Sequence, residues 1–505
     1  MTLAAVTLGH SLLKAGLILD VLLAAEALCS IGRARRLAVA GALVLSPLLL
    51  AAALWKSTQV LHLRHHALLA FAGIVVALLV VAALAGVLRS RPRLLALSAV
   101  FALPFRFSVI SGGSGGVLLV LYAVIGAGAL ALVIWNAPEI ETASATAALE
   151  DPEPSPHAGA QERPAGWLER SIALFIVLYA IAALYTPDLS KAAEEICFFY
   201  VPFALLFVLL RRVRWDRALI ERCARLIVAL ALLFVVVAAV EYATAHLLFH
   251  ADLDSNQRFF RVNSLFYDPN IYGRFLALTM VAVAAAMMWE TSRRKVVLAA
   301  AVLAVLWLGL LGSVSQSSIA ALLAGLAVIA GLRFSPRASA AGAALVAIAA
   351  VVIAIADSGP LHLTSANNAT SGRASLVREG LDLFTDRPIA GFGAASFSCE
   401  YLRHSAGTRS YVCGSPAPSD VTSDSHTTPV TIAAEQGVIG LAAYVALLVA
   451  AILTLARGGL RSSPVRVAIL AAFVALVVHT WAYADFLEDP ITWALLAVGA
   501  ALARE

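Results

Sequence analysis

The residues with chemical capacity in this 505-residue chain gather late, in the longest polar interval between two apolar segments, Asp357 to Gly440. It opens with Ser371-Gly372-Arg373, passes Pro388-Ile389-Ala390-Gly391-Phe392-Gly393, crosses Cys399 and Cys413, and closes on Asp424-Ser425-His426-Thr427. A helix carrying Glu435-Gln436-Gly437-Val438-Ile439-Gly440 is expected next. Arg373 follows Ser-Gly soon after an apolar run, where a guanidinium can grip a phosphate through two parallel bonds. Arg261 stands similarly, three residues after Arg258 and just before another apolar run. If the two line one cleft, they form a clamp for a diphosphate. The competing reading is a set of surface arginines, since long loops cross a membrane regardless of charge. That reading is the one taken for Arg403 and Arg409.

His426 sits between Ser425 and Thr427, at the start of a helix capped by Ser or Thr, with Asp424 near enough to influence it. A neutral imidazole there suits a general base for a hydroxyl; a helix-start residue without chemistry is the alternative. Asp268-Pro269-Asn270 reads as a helix N-cap with Pro in the first turn, and Asn270 could in addition orient a hydroxyl. Ser313 to Ser318 lines a polar site or is a plain turn. His10 and His479, on apolar runs, read as packed polar residues. His62, His65 and His66 cluster without a nearby carboxylate or cysteine and read as solvated. Gly437 and Gly440, one turn apart, read as small residues that let helices approach closely. Cys399 and Cys413 share a polar loop at a spacing that allows a disulfide, against two free thiols; Cys29, Cys197 and Cys223 read as buried apolar residues. Asp252 and Asp254 have Asp-x-Asp spacing. No P-loop, dinucleotide fingerprint or zinc-type Cys/His quartet is present.

The scaffold that must position these groups is a membrane one. The chain is 61% hydrophobic and 13% charged, with mean hydropathy +0.89, far from the balance of a soluble domain. Apolar runs of about 20 residues recur throughout, each long enough to cross a hydrocarbon core. The net charge of +5 sits in short loops, where it sets orientation, so nucleic-acid binding is not expected. Basic loops at Arg33–Arg36, Arg89–Arg93, Arg211–Arg214, Arg293–Lys295, Arg333–Arg337 and Arg457–Arg466 alternate with loops poor in Lys and Arg. The expectation is an all-α polytopic membrane protein with roughly fifteen crossings and no cleavable signal peptide. It divides into N-terminal helices (1–136), a disordered cytoplasmic linker rich in Pro, Glu and Ala (137–167), central helices (168–356), a large external loop (357–428) and C-terminal helices (429–505).

Four pieces, in order, resemble the O-antigen ligase and O-antigen polymerase superfamily, whose membrane fold is of the GT-C kind. They are Arg261 with Asp268-Pro269-Asn270; Ser371-Gly372-Arg373; Pro388 with Gly391-Phe392-Gly393; and His426-Thr427 with Glu435 to Gly440. The resemblance covers roughly residues 170–500 and departs at Thr427, where the family often has Asn or Ser, and at Ser315-Gln316-Ser317, where it often has Ser-Arg-Gly. It implies a glycosyltransferase of polysaccharide or lipopolysaccharide biosynthesis in a bacterial inner membrane, with its site facing the periplasm. The donor would be a glycan on undecaprenyl pyrophosphate, and the acceptor lipid A–core or a second lipid-linked glycan. Arg261 and Arg373 would hold the pyrophosphate and His426 would take the acceptor proton. Arg258, Asn270, Arg378 and Asp424 would contact substrate. Transfer would invert the anomeric centre and need neither metal nor cofactor. The alternative from another class is a transporter or flippase of lipid-linked oligosaccharide that binds the diphosphate without chemistry.

Overall fold

The computed structural model describes residues 3–55, 57, 60–61, 65–105, 118–135, 165–248, 260–335, 337, 373–405, 411–413 and 425–503, with 3–8, 373–374 and 405 described by backbone alone. The expected span at 338–356, the linker at 137–164, and Arg258, Asp252, Asp254, Arg409 and Asp424 lie outside the described residues. Among the described residues there are helices and no strands. In chain order they are α1 (Leu3–Cys29), α2 (Gly32–Ala53), α3 (Ala67–Ser90), α4 (Arg93–Ala102), α5 (Leu119–Trp135), α6 (Trp167–Ala182), α7 (Leu189–Arg211), α8 (Arg217–Thr244), α9 (Pro269–Trp289) and α10 (Arg293–Ser313). There follow α11 (Gln316–Arg333), α12 (Arg373–Asp386), α13 (Phe397–Ser405), α14 (Thr428–Leu455), α15 (Pro464–Ala482) and α16 (Pro490–Leu502).

Among the described residues, nine helices are long and apolar enough to cross a membrane. The chain is an all-α polytopic membrane protein. The amount of each helix that is covered separates scaffold from lining. α3 exposes Leu68, Phe71, Ile74 and Leu78, the surface a helix offers to lipid tails. By contrast α7 and α9 are covered over most of their length. One continuous apolar core joins the two halves, running from Leu17 and Val39 through Phe203 and Phe234 to Phe473 and Trp493.

The basic loops collect at one end of the bundle. Arg93 pairs with Asp216 at 2.7 Å, and Arg211 with Glu169 at 3.0 Å, tying loop to loop there. The Arg211–Glu169 pair is buried, and Glu169 also accepts the Gly166 N–H at 2.8 Å, so the carboxylate is matched on both oxygens. At the opposite end lie Tyr185, the Pro388–Gly393 loop, His426 and Tyr483.

α7 changes pitch where sequence dictates. Ile196–Tyr200 forms a π turn just ahead of Pro202, which has no N–H to return to the Phe198 carbonyl. Tyr122 of α5 donates its hydroxyl to that carbonyl at 2.8 Å.

Candidate active site

Arg261 is held by its neighbours in sequence and by two helices. Glu241, fully buried at the end of α8, accepts the backbone N–H groups of Leu248, Asn263 and Ser264 at 3.2, 3.2 and 2.8 Å. One carboxylate thus gathers both ends of the 245–268 connection, where a loop would otherwise leave buried donors unmatched. Val262 N–H donates to the Gly312 carbonyl at 3.2 Å and Ser264 Oγ to that of Phe234 at 2.8 Å. The Arg261 guanidinium then donates from Nε to the Ser313 carbonyl at 2.9 Å and from Nη2 to Asn270 Oδ1 at 3.0 Å. Its orientation is set by α10 on one side and α9 on the other.

The N-cap reading of Asp268-Pro269-Asn270 holds: Asp268 caps α9 by accepting the Asn270 N–H at 2.6 Å, with Pro269 in the first turn. Asn270 itself is buried, and its Oδ1 also accepts Ser315 Oγ at 2.9 Å. Ser315 is the N-cap of α11 and lies 3.2 Å from Ser317 Oγ and 2.8 Å from Ser318 Oγ. Ser317 reaches His479 Nε2 at 3.3 Å. The serine run is therefore a polar relay rather than a plain turn. His479 is buried on α15 as expected, yet its ring is engaged on both sides, since it also meets the Tyr483 ring edge-on at 5.7 Å.

Tyr483 closes the path. Its ring stacks on the His426 imidazole at 5.5 Å, and its hydroxyl bonds to Asp268. Burial first, and then the Asp268 charge, push the Tyr483 phenol well above its ordinary value, so it stays protonated as a donor. Arg261 and His426, far apart along the chain, stand at two ends of one run of side chains: Arg261, Asn270, Ser315, Ser317, His479, Tyr483, His426. One turn deeper on α9, Arg274 forms a buried pair with Asp489 at 2.9 Å, and Asp489 also caps α16.

His426 has a backbone φ of 54°, left-handed for a residue with a Cβ. Such conformations cost on the order of 1–3 kcal/mol and collect at functional sites. What holds it is local. Ser425, fully buried, donates to the Thr427 carbonyl at 3.0 Å and shares a 2.9 Å bond with Thr431. Thr427 occupies the N-cap of α14 but makes no side-chain cap bond, which corrects the capping expected at this helix start. Proline at 429 in the first turn and the Ser425–Thr431 pair do that job.

The Pro388–Gly393 loop docks on α14 at a break. Gly437 has φ 63° and ψ −159°, outside the helical region and open to glycine alone. There Phe392 N–H donates to Ala434 O at 3.0 Å, Gly393 N–H to Glu435 O at 2.8 Å, and Val438 N–H to Pro388 O at 2.8 Å. A Cβ on Gly437 would lie 2.3 Å from the Ile389 carbonyl carbon, and one on Gly391 would lie 2.3 Å from that of Glu435. The expectation that Gly437 serves helix-to-helix approach is corrected: its partner is this loop. Tyr185 and Thr186, at the end of α6, donate to the Ala390 and Ala394 carbonyls at 2.6 Å each and pin the loop from the far side.

Cys399 and Cys413 form a disulfide with Cα atoms 5.5 Å apart, as the spacing allowed. Arg403, read as a solvated surface residue, instead pairs with Glu400 at 2.8 Å and donates to the Tyr411 carbonyl at 3.1 Å, bracing that disulfide. Arg373 opens α12, whose Gly380 packs against Val430 and Ser425 of the His426 turn. Arg378 is exposed on α12, and no described hydrogen bond or ion pair joins it to Arg261 or His426.

No curated protein matches the chain. The family model described as O-antigen ligase matches residues 300–445. That stretch takes in the Ser313–Ser318 turn, Arg373, the Pro388–Gly393 loop, the disulfide, His426 and the Gly437 break; Arg261, Asn270, His479 and Tyr483 fall outside it. The match supports glycosyl transfer of the ligase or polymerase type, with lipid-linked glycans as substrates in general. Over residues 300–445 the chain is similar to the O-antigen ligase family, and this match supports a place in the O-antigen ligase/polymerase superfamily.

Proposed function

We propose that the protein transfers a glycan from undecaprenyl pyrophosphate to a sugar hydroxyl at the periplasmic face of a bacterial inner membrane, as a ligase or a polymerase. Arg261 and Arg373 hold the diphosphate and stabilise the charge that grows on it as the glycosidic bond to phosphate breaks. His426 takes the proton of the acceptor hydroxyl as its oxygen bonds to the anomeric carbon from the opposite face, so the centre inverts. Undecaprenyl pyrophosphate leaves. The acceptor is lipid A–core in a ligase and a second lipid-linked glycan in a polymerase.

The observation that carries this reading is the side-chain run from Arg261 to His426. It gives a cation and a base, supplied by distant parts of the chain, one shared frame. Arg373 is compatible with the same site. It lies seven residues before Gly380, on the face of α12 that meets Ser425, about 10 Å along the helix at 1.5 Å per residue. Asn270 orients Arg261 in this scheme. Arg258 and Asp424 remain proposed substrate contacts, and Arg378 a more peripheral one.

The test is reconstitution in proteoliposomes with lipid-linked glycan, followed by product analysis. Lengthened lipid-linked chains identify a polymerase and transfer to lipid A–core a ligase. Movement of intact donor across the bilayer without a new glycosidic bond would replace the enzyme by a carrier.

A further inference from the structure

Asp20 breaks the pattern of the buried face of α1. Leu17, Val21 and Ala24, at helical spacing around it, carry that face into the apolar core, and Asp20 among them is fully buried. Neither of its carboxylate oxygens has a hydrogen-bond partner. No Lys, Arg or His among the described residues offsets its charge; the side chain that acts on it is Ser46 of α2. Lys14, the one lysine of α1, is engaged elsewhere, donating from Nζ to the Leu184 carbonyl at 2.5 Å. α2 and α7, which pack on α1, are both long and apolar enough to cross a membrane. A carboxylate buried without a partner is costly anywhere, and among membrane helices it marks an ion or proton site.

The surroundings of Asp20 supply further oxygens. Ser46, itself buried, brings its Oγ to 3.5 Å from the Cys197 carbonyl of α7, the long limit of a hydrogen bond. Cys197 is buried too and interacts with Asp20. It stands in the Ile196–Tyr200 π turn, where α7 leaves regular helical bonding. Pro47, next to Ser46, returns no N–H to the Leu43 carbonyl, so α2 also departs from regular bonding beside this point. One carboxylate beside interrupted helices is a form that cation sites take within membranes.

The charge selects the occupant. The group holds one negative charge and otherwise neutral oxygens, which a single positive charge balances. A divalent ion would leave a net charge buried, and magnesium would in addition keep several waters. Carboxylate, hydroxyl and carbonyl oxygens are hard donors, unsuited to selecting a thiophilic metal. A proton would engage one carboxylate oxygen and leave the other unmatched.

We propose that Asp20, Ser46 and the Cys197 carbonyl bind a small monovalent cation, sodium in the first instance, which ties α1 and α2 to the π turn of α7. The site is independent of the transferase reading.

The experiment uses the full chain in detergent, with sodium chloride replaced stepwise by choline chloride at constant ionic strength. Wild type is expected to retain radiolabelled sodium and to melt at a temperature that rises with sodium and saturates. Asp20→Asn should bind sodium at least tenfold more weakly and lose the sodium-dependent rise. Should that variant fail to fold, Ser46→Ala is expected to weaken sodium binding at least threefold. A wild type that retains no sodium overturns the site, as does an equal rise in melting temperature with sodium in wild type and both variants, which is a general salt effect. Melting that follows pH in wild type but not in Asp20→Asn, and ignores sodium in both, also overturns it and leaves Asp20 holding a proton only.

Discussion

Gly437→Ala tests whether the loop-on-helix junction holds the site together. The new Cβ would lie 2.3 Å from the carbonyl carbon and oxygen of Ile389 and 2.6 Å from the Ala390 nitrogen, all backbone atoms that cannot swing aside. The φ of 63° with ψ of −159° is also closed to alanine, at a cost of about 1–3 kcal/mol. Forcing the loop off adds an overpacking cost of about 1–3 kcal/mol and weakens the three short backbone bonds at Ala434, Glu435 and Pro388. The sum is roughly 3–5 kcal/mol, of which little is recovered by alanine's better helix propensity, about 1 kcal/mol. The assay is thermal unfolding of the purified protein in detergent, beside Gly73→Ala, where a Cβ meets nothing within 4 Å. A fall in Tm of about 3–10 °C is expected for Gly437→Ala and no fall for Gly73→Ala. Equal melting of the two variants and wild type would mean that the loop does not sit against the break.

Glu241→Gln should loosen the segment that carries Arg261. An amide has one oxygen for three backbone donors and turns its NH2 toward at least one of them, a loss of about 3 kcal/mol or more. Amide hydrogen exchange should quicken at residues 260–266; unchanged protection there would count against the carboxylate as anchor. Cys413→Ser should destabilise the segment around Cys399 by about 3 kcal/mol, the loop entropy for a separation of 14 residues. Limited proteolysis should cut it as fast as the reduced wild type, and resistance equal to the oxidised protein would remove the disulfide from the account.

The all-α membrane class was legible because lipid imposes a length and an apolar composition, whereas about fifteen crossings were expected and, among the described residues, nine helices are long and apolar enough to cross. The disulfide followed from two cysteines sharing one polar loop. Asp268 capping α9 followed from the local chemistry of Asp-Pro. Three features did not follow. The break at Gly437 lies inside an apolar stretch whose helical period continues through it, so only the neighbouring glycines of Pro388–Gly393 hinted that two backbones meet. His479 is surrounded by apolar residues in sequence, and nothing local reveals that Ser317 and Tyr483 approach it from other helices. Glu195 of α7, Glu435 of α14, and Asp485 and Glu488 of the α15–α16 connection line one small cleft, a juxtaposition that depends on topology alone. The serine run was an open choice from sequence, and packing between α9, α11 and α15 decided it.

In the proposed reaction Arg261 grips the donor and His426 performs the proton transfer within one site. Equilibrium binding and single-turnover transfer of lipid-diphosphate glycan, measured on wild type, Arg261→Ala and His426→Ala, address it most directly. Arg261→Ala should lose donor affinity at least tenfold. His426→Ala should bind donor within threefold of wild type and turn over roughly 10²–10⁴-fold more slowly. A His426→Ala protein that transfers glycan at the wild-type rate, or an Arg261→Ala protein with undiminished donor affinity, would contradict it.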